Sequence, residues 1–238
     1  MQRKRRSTME AINLKSYVLV TGGSGGIGSA VCRLCPSYDL TPIIGFNNNA
    51  TSAKVIAKET KGFAVRIDMS DNNSIMKAVE FIRGKIESSG SLTAVVLGAS
   101  PPPALEPFLK ISSKQLSHQM NVNLIGPNLL LQNLVRHFFR KNKSGTIVGV
   151  LTEAIGSEDR PPSTGMGSYI IAKTALKGLL SVCSAEYPWL KMRTVSPGFT
   201  KTPMLDVFDK RYLEIANAKT PIAEPEDVAN LIINKIVL

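Results

Sequence analysis

Apolar residues in this chain fall into short continuous runs, separated by longer stretches in which they recur every three or four positions. The runs are Tyr17-Val18-Leu19-Val20, Pro42-Ile43-Ile44-Gly45-Phe46, Phe63-Ala64-Val65-Arg66-Ile67, Ala94-Val95-Val96-Leu97, Thr146-Ile147-Val148-Gly149-Val150 and Met192-Arg193-Thr194-Val195. Runs this short and this apolar predict strands covered on both faces, as in a parallel sheet. The stretches between them predict helices from Gly28 to about Leu34, ending at Pro36, and then over about Thr51–Thr60, Asn72–Glu87, Ser112–Arg140 and Ser168–Glu186. Gly126-Pro127 predicts a kink in the fourth, because proline brings no N–H to the preceding turn. Glu153 to Gly167 and the segment after Pro197 read as irregular. Strands alternating with helices imply right-handed crossovers and a doubly wound parallel α/β sheet of about six strands, with helices on both faces. Ligands of such a sheet sit beyond the carboxyl ends of its strands.

Composition narrows the class. A chain of 238 residues, 43% of them hydrophobic, fits one large domain, read here as residues 15–238. No apolar run approaches the ~18 residues of a membrane span. Cys32, Cys35 and Cys183 have no metal-ligand companions, so no metal is expected; the Cys-x-x-Cys spacing of the first two reads as small buried side chains. Sparse cysteines point to a reducing, cytoplasmic setting. The net charge is +11, with part of it in Arg3-Lys4-Arg5-Arg6. Residues 1–14 read as a disordered basic arm, without the apolar core of a secretory signal. Without those four residues, 25 basic against 18 acidic side chains leave +7. A basic body favours anionic ligands or an acidic partner. The chain lacks the aromatic interleaving or basic amphipathic helix of a nucleic-acid or membrane binder, so neither partner is expected.

The chemistry begins right after the first strand, at Thr21-Gly22-Gly23-Ser24-Gly25-Gly26-Ile27-Gly28. A buried strand, a glycine turn and a helix start place free backbone N–H groups and a positive helix end beside a phosphate. Far downstream, Tyr169 and Lys173 are four residues apart, so both project from one face of their helix. A nearby ammonium is expected to lower the phenol pKa and make Tyr169 a usable proton donor.

The spacing Thr-Gly-x-x-x-Gly-x-Gly, with Asp68, Asn123, Tyr169-x-x-x-Lys173, Pro197-Gly198 and Thr202 following in that order, resembles the short-chain dehydrogenase/reductase family over about residues 15–230. The resemblance extends to its 3-oxoacyl-carrier-protein reductase-like members. It implies a Rossmann-type NAD(P)-binding fold. It also implies that Tyr169 protonates the substrate carbonyl during reduction and acts as base in reverse. Lys173 would bind the nicotinamide ribose, and Asn123 would hold a water that links Lys173 to solvent. The family's serine falls on Thr152, which keeps the hydroxyl but is stiffer and carries a methyl group; Ser157, Ser163 and Ser168 are rival hydroxyls. Cofactor contacts are implied for Thr21, Gly22, Ser24, Gly26, Ile27 and Gly28, for Met69, Gly98 and Ala99, and for Pro197, Gly198, Thr200 and Thr202. Asp68 is implied to accept from the adenine amine, and as a residue it also reads as a helix N-cap.

Three departures from the family pattern shape the reading. Gly98-Ala99-Ser100 stands where the family has Asn-Ala-Gly, so the usual brace of the central sheet is missing. The second strand ends in Phe46-Asn47-Asn48-Asn49 without a carboxylate. That favours NADP over NAD, with Asn47 or Asn48 donating to the 2′-phosphate, although Gly25 replaces the basic residue common in NADP users. The chain stops at Leu238, so the family's seventh strand is either absent or reduced to Lys235–Leu238, and a homodimer through the two long helices is expected.

The expected function is NAD(P)-dependent hydride transfer between nicotinamide and a ketone or secondary alcohol. A 3-oxoacyl thioester on an acidic carrier protein is a sharper form of that reading. The competing reading is a nucleotide-binding scaffold with weak chemistry. Loops 101–109, 153–167 and 203–218 shape the substrate site, and Met204, Leu205 and Phe208 are its candidate apolar lining.

Overall fold

A computed structural model describes residues 14–238. The basic stretch Arg3–Arg6 lies outside the described residues. Six parallel strands form one sheet: β1 (Lys15–Thr21), β2 (Leu40–Phe46), β3 (Phe63–Arg66), β4 (Gly90–Leu97), β5 (Thr146–Val150) and β6 (Lys191–Val195), in the spatial order β3-β2-β1-β4-β5-β6. All six predicted strands are present, several of them longer by a few residues. The added residues, such as Gly90-Ser91 of β4, pair with the start of β1 at the rim of the sheet, where no continuous apolar run is needed.

Alternation along each strand divides the core into two layers. Tyr17 and Leu19 of β1, Val95 and Leu97 of β4 and Ile147 of β5 face one cluster, packed by α3 (Asn72–Ile86), α5 (Gly126–Leu134) and α6 (Gly167–Glu186). Val18 and Val20, Ala94 and Val96, and Val148 and Val150 face the other, packed by α1 (Gly26–Leu34), α2 (Ala50–Thr60) and α8 (Pro225–Val237). Cys32 and Cys35 are wholly buried in this second layer, and burial pushes the Cys35 thiol up to about 12, so both are packing groups.

The long predicted helix is a chain of α-helical and π-helical turns: α4 (Ser113–Met120), a π-turn at Asn121–Ile125, α5 and a second π-turn at Val135–Phe139. Helical backbone angles persist at every junction. The irregularity therefore precedes Gly126-Pro127, where the Gly126 N–H donates to the Asn121 carbonyl five residues back. Beyond Pro197 the chain adds α7 (Lys210–Lys219) and α8. Lys235 to Val237 belong to α8, so they form no strand remnant. β6 is an edge of the sheet and shows Lys191 and Arg193 to solvent, charges that discourage edge-to-edge pairing.

The order of the strands reverses between β1 and β4, and their carboxyl ends bound the crevice there. Thr21 locks this point. It is 1% exposed; its Oγ1 donates to the Val96 carbonyl at 3.2 Å and accepts from the N–H groups of Gly98 at 3.1 Å and Ala99 at 3.2 Å. The brace expected to be missing at Gly98 is thus supplied from the neighbouring strand. Thr21→Val keeps the shape and strands both N–H groups. It is expected to cost about 1–3 kcal/mol in urea unfolding, and an unchanged midpoint would refute the brace.

Candidate active site

The carboxyl edge of the sheet gathers most of the residues singled out in the sequence. Gly22 follows β1 with φ +70°, a conformation open to glycine at little cost. Gly25 caps α1 without a side chain, and the first turn of α1 carries no acidic residue. The N–H groups of Gly26, Ile27 and Gly28 therefore open α1 without a side-chain cap. A Cβ on Gly26 would lie 2.2 Å from the Thr202 methyl, so the glycine turn and the segment after Pro197-Gly198 touch across the crevice. Thr200 is 5% exposed and bonds to the Gly198 carbonyl at 3.2 Å, which tightens that segment. The Thr21 hydroxyl is spent on its brace, so the cradle is made by backbone beyond it. This arrangement of uncapped donors on glycine fits the pyrophosphate of a dinucleotide.

Asn47 and Asn48 are exposed at the end of β2. The β2–β3 register sets Arg66 opposite Phe46. From there the Arg66 guanidinium donates to the Asn47 carbonyl at 3.4 Å and to its Oδ1 at 3.3 Å. Arg66 is a site candidate that reading the sequence missed; its only sequence signal is a basic residue two before Asp68. Asp68 does not cap α3. Asp71 does, accepting from Asn73 at 2.9 Å. The Asp68 Oδ1 accepts from the N–H of Ser70 at 2.9 Å and its hydroxyl at 2.6 Å, and these bonds lead in holding its pKa below the usual value. Met69 is buried, and next to it a cleft of about 430 Å³ runs between the start of α3 and the π-turn at Asn121 and Ile125. A second cleft, of about 390 Å³, lies at the opposite edge of the sheet among Ser16, Trp189 and Lys191, away from these groups.

Tyr169 and Lys173 lie one turn apart on α6, 8% and 2% exposed. Lys173 Nζ sits 5.7 Å from the centre of the Tyr169 ring and donates to the Val150 carbonyl at 2.8 Å. Burial brings the ammonium down to about 7. Burial also pushes the Tyr169 phenol up to about 12, against a lesser opposing pull from the Thr152 hydroxyl. This corrects the expectation that Lys173 lowers the phenol: burial sets the sign of the shift, and the opposing pull comes from Thr152. Thr152, two residues after β5, also accepts from the Ala154 N–H at 3.2 Å. Of its rivals, Ser157 and Ser163 are exposed on the loop, while Ser168 is wholly buried on α6 and its hydroxyl has no partner among the described residues. The Glu153 carboxylate, also missed in the sequence, lies over Gly198, with Oε2 3.0 Å from where a Cβ would stand.

Asn123 is wholly buried on the π-turn, where its Oδ1 has no partner among the described residues. An apolar wall stands over Tyr169, with Phe208 packed against Met166, Tyr169 and Ile170. Phe208 also stacks on Tyr212 at 5.9 Å and meets Phe199 edge-on at 5.1 Å. The arrangement combines a phosphate cradle, a buried phenol–amine pair and a facing hydroxyl under an aromatic wall.

The family model described as short chain dehydrogenase matches residues 16–212. A 2,5-dichloro-2,5-cyclohexadiene-1,4-diol dehydrogenase of Sphingobium indicum is 27% identical over 191 residues, covering 79% of this chain and 74% of that protein. A 3-oxoacyl-[acyl-carrier-protein] reductase of Thermotoga maritima is 26% identical over 226 residues, covering 90% and 87%. In fold, the chain superposes at TM-score 0.81 on a 3-ketoacyl-(acyl-carrier-protein) reductase of Brucella melitensis complexed with NADH. That match is 20% identical and covers 94% of this chain and 91% of the other.

An amine with a lower pKa folded than unfolded binds fewer protons when folded. The cost of burying Lys173 is therefore full below about pH 7, falls as pH rises and is gone near 10.5. Lys173→Met removes this cost. Urea unfolding from about pH 6 to about pH 9.5 should show wild type gaining stability relative to Lys173→Met. The cysteines titrate alike in both proteins and cancel. Parallel pH curves would refute the buried, depressed amine.

Proposed function

The chain belongs to the short-chain dehydrogenase family, and from that membership we propose that it is an NADP-dependent reductase of apolar ketones that also oxidises the matching secondary alcohols. The observation that carries this reading is the Tyr169–Lys173 pair, buried together beside Thr152. NADP would lie along Gly22–Gly28, with its adenine near Asp68 and Met69 and its nicotinamide toward Pro197–Thr202, and its reduced form supplies the hydride. Gly98 and Ala99 border the same crevice where β4 ends.

The protein's part is to bind the carbonyl and give it a proton. With its pKa raised, Tyr169 keeps its proton across neutral pH, which suits the donor role of the reducing direction. The Thr152 hydroxyl provides a second hydrogen bond to the same substrate oxygen. Lys173 stands one turn beyond, with donors left over from its bond to Val150. Phe208 and Met166 exclude water above the phenol and favour an apolar substrate. The basic body, +7 without the four-residue basic cluster, suits a 3-oxoacyl thioester presented on an acidic carrier.

The preference for NADP rests on two features: the end of β2 has no carboxylate, and Arg66 has N–H donors beyond the two that hold Asn47. The third contact, with Asp68 Oδ2 at 3.9 Å, is a weak competitor for a guanidinium that is 60% exposed. The homodimer is supported by Ile171 and Val182, three turns apart on α6 and both exposed, with Ile125 exposed on the neighbouring helix.

A screen of diketones and 3-oxoacyl thioesters with NADPH and NADH tests the reading. Tyr169→Phe should lower turnover by about 10²–10⁴-fold; equal rates for it and wild type would overturn the enzymatic reading. In fluorescence titrations Arg66→Ala should weaken NADPH by about tenfold and leave NADH within about twofold. Tighter binding of NADH by wild type would overturn the choice of NADP. Light scattering on the eluted protein should give the mass of two chains, and a clean tetramer would refute the dimer.

A further inference from the structure

The π-turn at Asn121–Ile125 packs against α6, the helix that carries Ser168, Tyr169 and Lys173. Asn123 on that turn is wholly buried, and Gln119, one turn earlier on α4, is 3% exposed. Both protons of the Asn123 amide are spent on Gln119: Nδ2 donates to its backbone carbonyl at 3.2 Å and to its Oε1 at 3.0 Å. Gln119 in turn gives its own Nε2 to the Pro102 carbonyl at 2.8 Å. The two side chains thus form a chain of bonds running one way, from Asn123 through Gln119 to the Pro101-Pro102-Pro103 loop.

The direction of this chain has a consequence. Turning the Asn123 amide over would aim its oxygen at two carbonyl oxygens and forfeit both bonds, so Gln119 admits one orientation only. That orientation leaves Oδ1 as a buried acceptor without a donor, and the Ser168 hydroxyl beside Tyr169 is likewise buried without a partner. A buried carbonyl left unpaired is costly. Two such groups thus stand on packed elements, one of them on the helix that carries the phenol and the amine.

We propose that Gln119 is a positioning residue for the reaction: it locks the Asn123 amide so that Oδ1 faces the Ser168–Tyr169–Lys173 side as a free acceptor. The proposal rests on the oxidoreductase reading given above and adds to it the residue that sets Asn123. Gln119 touches neither substrate nor cofactor in this role. Its bond to Pro102 also fixes the first part of the loop over the substrate site to the same amide, so loop and acceptor keep their places together.

The test compares purified wild type, Gln119→Leu, Asn123→Ala and the double variant, using NADPH and the best ketone from the screen. Gln119→Leu should lower kcat by about tenfold, leave the NADPH dissociation constant within about twofold and raise the solvent deuterium isotope effect on kcat. In the Asn123→Ala background it should add less than about a twofold loss, because it acts through that residue. Gln119→Met, also close in size, replaces the leucine variant if thermal melts show the latter unfolded. Losses that multiply in the double variant, or an unchanged isotope effect, would overturn this role for Gln119 while leaving wild-type turnover and the oxidoreductase reading intact. Wild type without turnover on any substrate with either cofactor would overturn both.

Discussion

Among the described residues, no carboxylate meets Lys173 where it enters the interior of the molecule. Its ammonium has the Val150 carbonyl at 2.8 Å and the Tyr169 ring, whose centre is 5.7 Å away, for company, and burial alone brings its pKa to about 7. A cation in such a place is costly to keep, and its surroundings are built to hold it. Val150 ends β5, Tyr169 lies one turn back on α6, and the π-turn with Asn123 closes the third side. The same desolvation that depresses the amine raises the phenol. The pair is thereby set as a protonated phenol beside an amine poised near neutrality. Paired titratable groups pushed apart by a shared environment are the mark of acid–base assignment.

The crevice next to this pair depends on a different kind of interaction, hydrogen bonding between neighbouring strands. Thr21 ties the end of β1 to the end of β4 by three bonds, just where the strand order reverses. Because that tie is internal, Gly98 can replace a side-chain brace without loosening the sheet. The glycine turn can then run from a fixed strand end to an uncapped helix start, and Thr202 closes over Gly26 from the other side. Cradle and acid–base pair are thus held by separate elements of one sheet, which keeps their spacing independent of the surface loops.

The fold was legible because parallel strands are apolar on both faces and so appear as unbroken runs; the alternation of Val18 and Leu19 between two core layers needs no more than that. Tyr169 and Lys173 were legible as a helical pair. Other features depend on contacts that local sequence does not record. The Thr21 brace has partners 77 and 78 residues away. Arg66 meets Asn47 only through the β2–β3 register. The π-turn is not announced by its own residues; just after it Gly126 approaches Met69 so closely that the Met69 carbonyl would stand 2.1 Å from a Cβ. The spacing of Tyr169 to Lys173 predicts a lowered phenol and the phenol is raised, because spacing gives proximity and burial decides the sign.

Burial, with no counter-ion among the described residues, sets the protonation of the Tyr169–Lys173 pair. Its most direct measurement is the titration of Lys173 in the full chain by carbon NMR, with lysine labelled at Cε and the resonance assigned by loss in Lys173→Met. The expected midpoint is near 7, well below the ordinary lysine value of 10.5. A midpoint near 10.5 would contradict it, because Lys173 would then be a solvated ammonium, and the raised phenol and the closed site around it would lose their common cause.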